Sequence, residues 1–170
     1  VGQELAKITG YKLLYNHMTI EMVRSIFDYD KEAFLKINSI IRYEIFKEFA
    51  KSKQKGIIFT GCFDFGNDFE KEKEETDKWM DLFEETYTIE LETTLEERLR
   101  RNKTENRLKY KESKRDLEWS EKDLLRSLER HRLNSMPGEG AKIFKNFIKI
   151  NNTNISAKEV AKMIKEKFDL

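Results

Sequence analysis

Several groups of residues in this 170-residue chain have the types and spacing for chemistry. The stretch R-N-K-T-E-N-R-L-K-Y-K-E-S-K-R, from Arg101 to Arg115, carries seven bases against two acids and could hold phosphates. Asn16 and His17 follow a short apolar run, where open parallel sheets present ligand-binding groups. An imidazole that titrates near about 6.5 could take a hydroxyl proton at neutral pH. Arg42 lies beside the apolar stripe of a long helical pattern, and its guanidinium offers a fixed fork of donors to a carboxylate or phosphate. Asp64 is the one carboxylate near the end of G-I-I-F-T-G-C-F-D-F. Asn152 and Thr153 stand in N-N-T-N-I-S, between a strand pattern and a helix pattern. Each has a plainer reading as well. The histidine could simply bond a loop, Arg42 could pair with Glu44, the basic block could be a solvated loop, and the asparagines could cap local backbone.

The elements that must position these residues follow from periodicity. Val1, Leu5 and Ile8 make one helical stripe that Gly10 ends, with no Ser, Thr, Asp or Asn ahead to cap it. Tyr11 to Tyr15 fits a buried strand, and Thr19 to Phe27 reads as a helix. Asp30 can cap a long amphipathic helix carrying Phe34, Ile37, Ile41, Ile45 and Phe49. Ile57 to Thr60 suggests a strand buried on both faces. The segment Asp68 to Glu85, with nine acids against three lysines, is a solvated helix that also carries Phe69, Trp79, Leu82 and Phe83. T-Y-T-I-E-L-E returns to strand, T-L-E-E-R-L-R-R-N to helix, and W-S-E-K-D-L-L-R-S-L-E-R-H-R-L-N-S to a helix capped at Ser120. M-P-G-E-G is a turn. F-I-K-I is a strand, and A-K-E-V-A-K-M-I-K-E-K-F a helix capped at Ser156.

Strands alternating with helices predict an α/β fold, one domain over residues 1–170 with a parallel sheet and helices on both faces. Such a chain usually has a strand ahead of its first helix, so the sheet is expected to lack an opening strand. The formal charge of +1 argues against a polyanion or a membrane surface as a global partner. A single cysteine, Cys62, rules out an internal disulfide and gives no zinc spacing. With no apolar run long enough for a membrane span, the reading is cytoplasmic.

The segments V-G-Q-E-L-A-K-I-T-G-Y-K-L-L-Y-N-H-M-T, G-I-I-F-T-G-C-F-D-F, L-E-E-R-L-R-R-N-K-T-E-N-R-L, S-K-R-D-L-E-W, R-L-N-S-M-P-G-E and I-N-N-T-N-I-S-A-K-E-V-A-K-M-I sample nearly the whole chain. Together they resemble the small P-loop kinases of the shikimate kinase and adenylate kinase type. The resemblance implies a three-layer P-loop fold, ATP and Mg2+ as cofactors, and transfer of the γ phosphate to a small-molecule acceptor. It implies a basic lid over about residues 101–117, with Arg101 against the adenine or α phosphate and Arg107 swinging onto the transferring phosphate. His17 would face the acceptor as a base. Asn16, Arg42 and Arg115 would bind the acceptor, Asp64 would support magnesium, and Asn152 and Thr153 would wrap the adenine. In such proteins a strand and the phosphate loop G-x-x-x-x-G-K-S/T come directly before a helix like the first one here. The 170 residues hold neither, so by themselves they are expected to lack kinase activity, and the functional reading concerns a parent protein.

The reading is therefore an ATP-dependent small-molecule kinase, monomer or homodimer, with no membrane partner. The alternative is a non-catalytic nucleotide- or RNA-binding α/β domain that uses residues 101–115 on phosphates and Tyr110 for base stacking. Near-zero net charge counts against nucleic acid.

Overall fold

The computed structural model describes residues 1–170. Local sequence accounts for most of its elements. Helix α1 (Gly2–Thr9) buries Leu5 and Thr9 and stops where Gly10 takes a left-handed conformation, φ 75°. Strand β1 (Lys12–Tyr15) runs straight into α2 (Asn16–Arg24), so Asn16 and His17 begin a helix. Helix α3 (Glu32–Ala50) starts after Lys31 with no side-chain cap. Asp30 is not that cap: it adopts φ 64° in the turn, a conformation Asp tolerates better than most residues. Strand β2 (Ile57–Thr60) and α4 (Phe69–Met80) follow, then β3 (Thr88–Glu92) and α5 (Leu95–Asn102).

The basic segment is more ordered than a loop. It forms α6 (Glu105–Tyr110) and a single 3-10 turn at Glu112–Lys114 before α7 (Leu117–Arg130). Asp116, not Ser120, caps α7, its side chain accepting from the Trp119 N–H. Ser120 is instead buried and donates to Asn102 Oδ1 at 3.2 Å. A short α8 (Glu139–Ile143) forms after the Pro137-Gly138 turn, followed by β4 (Phe147–Asn151) and α9 (Ala157–Phe168). Helix α9 is capped at Ser156 as its sequence predicts, and the cap is a full box, Ser156 and Glu159 each closing on the other's backbone N–H.

The fold is α/β with parallel strands, but the strands do not make one sheet. β1 pairs with β2, in register from Lys12 opposite Ile57 to Tyr15 opposite Thr60. β3 pairs with β4, from Thr88 opposite Phe147 to Glu92 opposite Asn151. Each of the four strands has a single partner. That is why β2, expected to be buried on both faces, is only half-buried throughout.

The two pairs share a core. Leu5 of α1, Ile150 of β4, and Val160, Ala161 and Ile164 of α9 form a cluster against which Ile58 of β2 and Ile89 of β3 both pack. On the other face of β2, Phe59 meets Phe46 of α3 and Trp79 of α4, with ring centroids 5.4 and 5.3 Å away. Alternation along the strand thus sends Ile58 to one helix layer and Phe59 to another. No helix is long and apolar enough to cross a membrane.

Candidate functional site

The candidate residues gather in two places, one past the carboxyl ends of β1 and β2 and one past that of β4. The first is built on the opening turns of α2. His17 is buried, and its Nδ1 lies 2.8 Å from Glu21 Oε1, the i, i+4 neighbour on the same helix face. Glu21 also accepts from the Ser113 hydroxyl at 2.6 Å and from the Ser113 N–H at 3.2 Å. These bonds fasten the 3-10 turn of the basic segment onto α2. Edge-on packing of Tyr110 against Tyr15, centroids 5.7 Å apart, fastens it again at the end of β1.

Burial pushes the His17 imidazole down to about 4, against the opposing pull of Glu21. At neutral pH it is uncharged, and it is too weak a base to suit proton removal there. Its better fit is a fixed hydrogen-bonding group. Glu21 stays below its usual range because the Ser113 hydroxyl and His17 outweigh the cost of burial.

Arg42 does not pair with Glu44, which instead binds Lys47 at 3.1 Å. It reaches back to α2, donating to Thr19 Oγ1 at 3.0 Å and to the Asn16 carbonyl at 3.3 Å, with its guanidinium 5.4 Å from the Phe59 ring centre. Arg42 thus braces the first turns of α2, where Asn16 and His17 stand. Of the basic segment, Lys111 comes near enough to His17 for its charge to push the imidazole down further. The Arg107 Nε is buried without a hydrogen-bond partner. Lys111, whose amine is pushed down to about 8 by burial and by the charge of Arg107, had no assigned role in the sequence. Arg115 does not join them: it is exposed and paired with Glu112 at 3.1 Å.

Asp64 is placed elsewhere. One of its oxygens accepts from the N–H groups of Gly66 and Arg132 at 2.8 and 2.9 Å, the other from Asp68 N–H and His131 Nδ1 at 3.1 and 2.9 Å. Burial alone would raise this carboxyl, but His131 and the three backbone donors hold it below its usual value. Both oxygens are so engaged, and Asp64 also stands with Asp68 and His131 in a group whose ligand atoms lie within 4.8 Å of one another, an arrangement that could hold a metal ion. Asp64 staples the β2–α4 loop to the segment after α7.

The second place brings together Arg101, Asn152 and Thr153. Arg101 donates to Asn152 Oδ1 at 3.0 Å, to the Asn152 carbonyl at 2.6 Å and to the Thr153 carbonyl at 3.3 Å. Its Nε is held by Glu97 at 2.6 Å. Here a cavity of about 410 Å3 is lined by these residues, by Arg100, and by Val1 at the start of α1. Sequence reasoning missed Glu21, Ser113, His131 and Glu97. The i, i+4 spacing of Glu21 from His17 and of Glu97 from Arg101 could have signalled two of them, whereas Ser113 and His131 come from distant parts of the chain.

The chain matches no protein-family model, no curated protein and no solved structure.

Proposed function

We propose that this chain forms most of a P-loop phosphotransferase of the shikimate kinase and adenylate kinase type, which takes MgATP and phosphorylates a small-molecule acceptor under the segment 101–117. The observation that carries the reading is the junction at Arg101. One guanidinium closes on the loop after β4 and borders a polar cavity that also takes the start of α1. A nucleotide lying there would have Asn152 and Thr153 at its base and Arg101 beside its phosphates. The first turn of α1, which has no side-chain cap, would turn its N–H groups toward the phosphate chain.

The strand pairing supports the finer architecture. On this reading β1-β2 and β3-β4 are the two halves of one five-stranded parallel sheet, in a three-layer fold. The central strand lies between β2 and β3 and leads through the phosphate loop into α1. β2 and β3 each have an edge free for it, and Ile58 and Ile89 already lie against one cluster.

Catalysis would then rest on positioning and charge. Arg107 is the group for the transferring phosphoryl oxygens, and the segment that carries it excludes water when docked through Ser113 and Tyr110. Asn16, His17 and Arg42 face the acceptor. Magnesium enters with the nucleotide as part of the substrate. An RNA-binding reading is less well supported, because Arg101, Lys103, Lys114 and Arg115 are all paired with carboxylates within the chain.

The test is MgATP binding and turnover by the full-length protein with a panel of small acceptors. Arg107→Ala should lower kcat by about a hundredfold or more while the KM for ATP moves by less than about threefold. Failure to bind MgATP, or a kcat within about twofold of wild type in the variant, would overturn the assignment.

A further inference from the structure

Three side chains converge where the β2–α4 loop meets the end of α7. Asp64 is only 4% exposed, and its Oδ2 lies 2.9 Å from His131 Nδ1. Asp68 brings its own Oδ2 to 3.6 Å from the same nitrogen, and the three ligand atoms all lie within 4.8 Å of one another. One imidazole nitrogen carries at most one proton. That proton can serve Asp64, whereas 3.6 Å is too long for a hydrogen bond to Asp68.

Asp68 also stands at the N-cap of α4, where an aspartate ordinarily accepts from the first N–H groups of the helix, yet its side chain makes no capping bond. The carboxylate turns toward His131 instead. One helical turn on, Glu72 is half-buried and forms no hydrogen bond or ion pair. Burial, and then the charges of Glu75, Asp68 and Asp64, push its carboxyl above its usual value. Arg132, whose charge bears on Asp64, is already bound to Glu139 and to the Phe65 carbonyl. Carboxylates thus face one another with one imidazole among them, which is costly unless a cation joins the group.

We infer that Asp64, Asp68 and His131 form a binding site for a divalent transition-metal ion of the zinc class. Ligands held about 2.0–2.1 Å from zinc in a tetrahedron lie about 3.3 Å from one another. The two distances to His131 Nδ1, 2.9 and 3.6 Å, straddle that value. The ion takes the place of the proton between Asp64 and His131, and the neutral ring carries its proton on Nε2. Asp64 Oδ2 keeps its bond from the Asp68 N–H, and Oδ1 keeps those from Gly66 and Arg132, so backbone donors hold the ligand in place from behind. Water completes the coordination. An imidazole ligand favours zinc, cobalt or nickel, whereas magnesium demands an octahedron of oxygens. The site is therefore separate from the magnesium that enters with a nucleotide, and it does not rest on the phosphotransferase reading. Asp64 and His131 are 67 residues apart in the chain, so the ion ties the β2–α4 loop to the end of α7 and its binding adds to stability.

Zinc alone is the probe, added to tag-free full-length protein that has been stripped with a chelator. Calorimetry should show one saturable site, and Tm should rise as zinc is added. Asp68→Asn alters a half-exposed side chain that caps nothing, so the variant should fold, and it should bind zinc about tenfold or more weakly. His131→Gln should do the same. Cobalt in place of zinc should give visible absorption bands that Asp68→Asn abolishes. His17→Gln and Cys62→Ser change the other imidazole and the one thiol of the chain, and each should stay within about threefold of wild type. Excess magnesium should not displace zinc.

Absence of saturable zinc binding, wild-type affinity in a folded Asp68→Asn, or affinity lost in Cys62→Ser or His17→Gln would each overturn the site. Displacement of zinc by magnesium would show a hard-cation site of oxygens and overturn the assignment to a zinc-class ion.

Discussion

His17 shows how a residue's surroundings outweigh its type. An imidazole in water sits near about 6.5, where a general base for neutral pH belongs. In the fold it is buried between α2 and the 3-10 turn and lies at about 4. Between these two values the unfolded chain binds a proton that the folded chain refuses, so stability is complete above about pH 6.5 and declines as pH falls from there toward 4. The loss amounts to at most about 3 kcal/mol. Glu21, held below its usual range, adds a separate loss at lower pH. Thermal unfolding at about pH 7 and about pH 5 should show a clear drop in Tm for the wild type and a smaller one for His17→Gln. Equal drops in both would mean that the imidazole is not responsible. The sequence supplied the histidine and a partner four residues on, but nothing in it placed Ser113 against both.

At the scale of elements, the contrast between caps is instructive. Ser156 and Glu159 close a box within one turn, so four consecutive positions contain all the atoms involved, and the start of α9 is legible. The start of α7 is less so. Ser120 and Asp116 both suit a cap, and tertiary packing chooses between them by burying Ser120 against Asn102. Asp64 works over a longer range, joining the β2–α4 loop to the segment 131–132 through four donors. Asp64→Ala would leave three backbone N–H groups and His131 without their acceptor. We expect it to cost roughly 3 kcal/mol, read as a lowered urea midpoint with an unchanged m-value. A cost below about 1 kcal/mol would show that the loop holds its shape without this carboxylate. Neighbouring Arg132 adds a second tie through its ion pair with Glu139 and its bond to the Phe65 carbonyl.

At the scale of the whole molecule, the division of four parallel strands into two pairs is the feature with the widest consequence. Each strand of a pair satisfies one edge of its backbone, and parallel sheets rarely leave interior edges unpaired. The proposed five-stranded sheet makes a direct prediction for hydrogen exchange. In the full-length protein, the amides of β2 and β3 that point away from β1 and β4 should be as protected as those that point toward them. Rapid exchange of that outward set, with slow exchange of the inward one, would show that no strand fills the gap. α1 and α9 bridge the two pairs through Leu5, Val160 and Ile164, with Lys165 donating to the Ile8 carbonyl at 3.0 Å, so the pairs are held side by side without a strand-to-strand hydrogen bond between them.

Sequence by itself determined the alternation of helices and strands, because hydrophobic period and local caps involve residues within a turn or two of one another. Beta strand Ile57–Thr60 and the start of α9 are read with their correct bounds for this reason. Tertiary structure alone decided which strands pair, that Asp64 meets three backbone donors and His131, that Arg115 turns outward while Arg107 and Lys111 turn in, and that His17 is neutral. Each of these depends on burial and on partners brought from 45 or more residues away, or on which of several basic side chains in one segment turns inward. Residue type states what chemistry is available, whereas desolvation and the pairing of charges state which of it remains free to act.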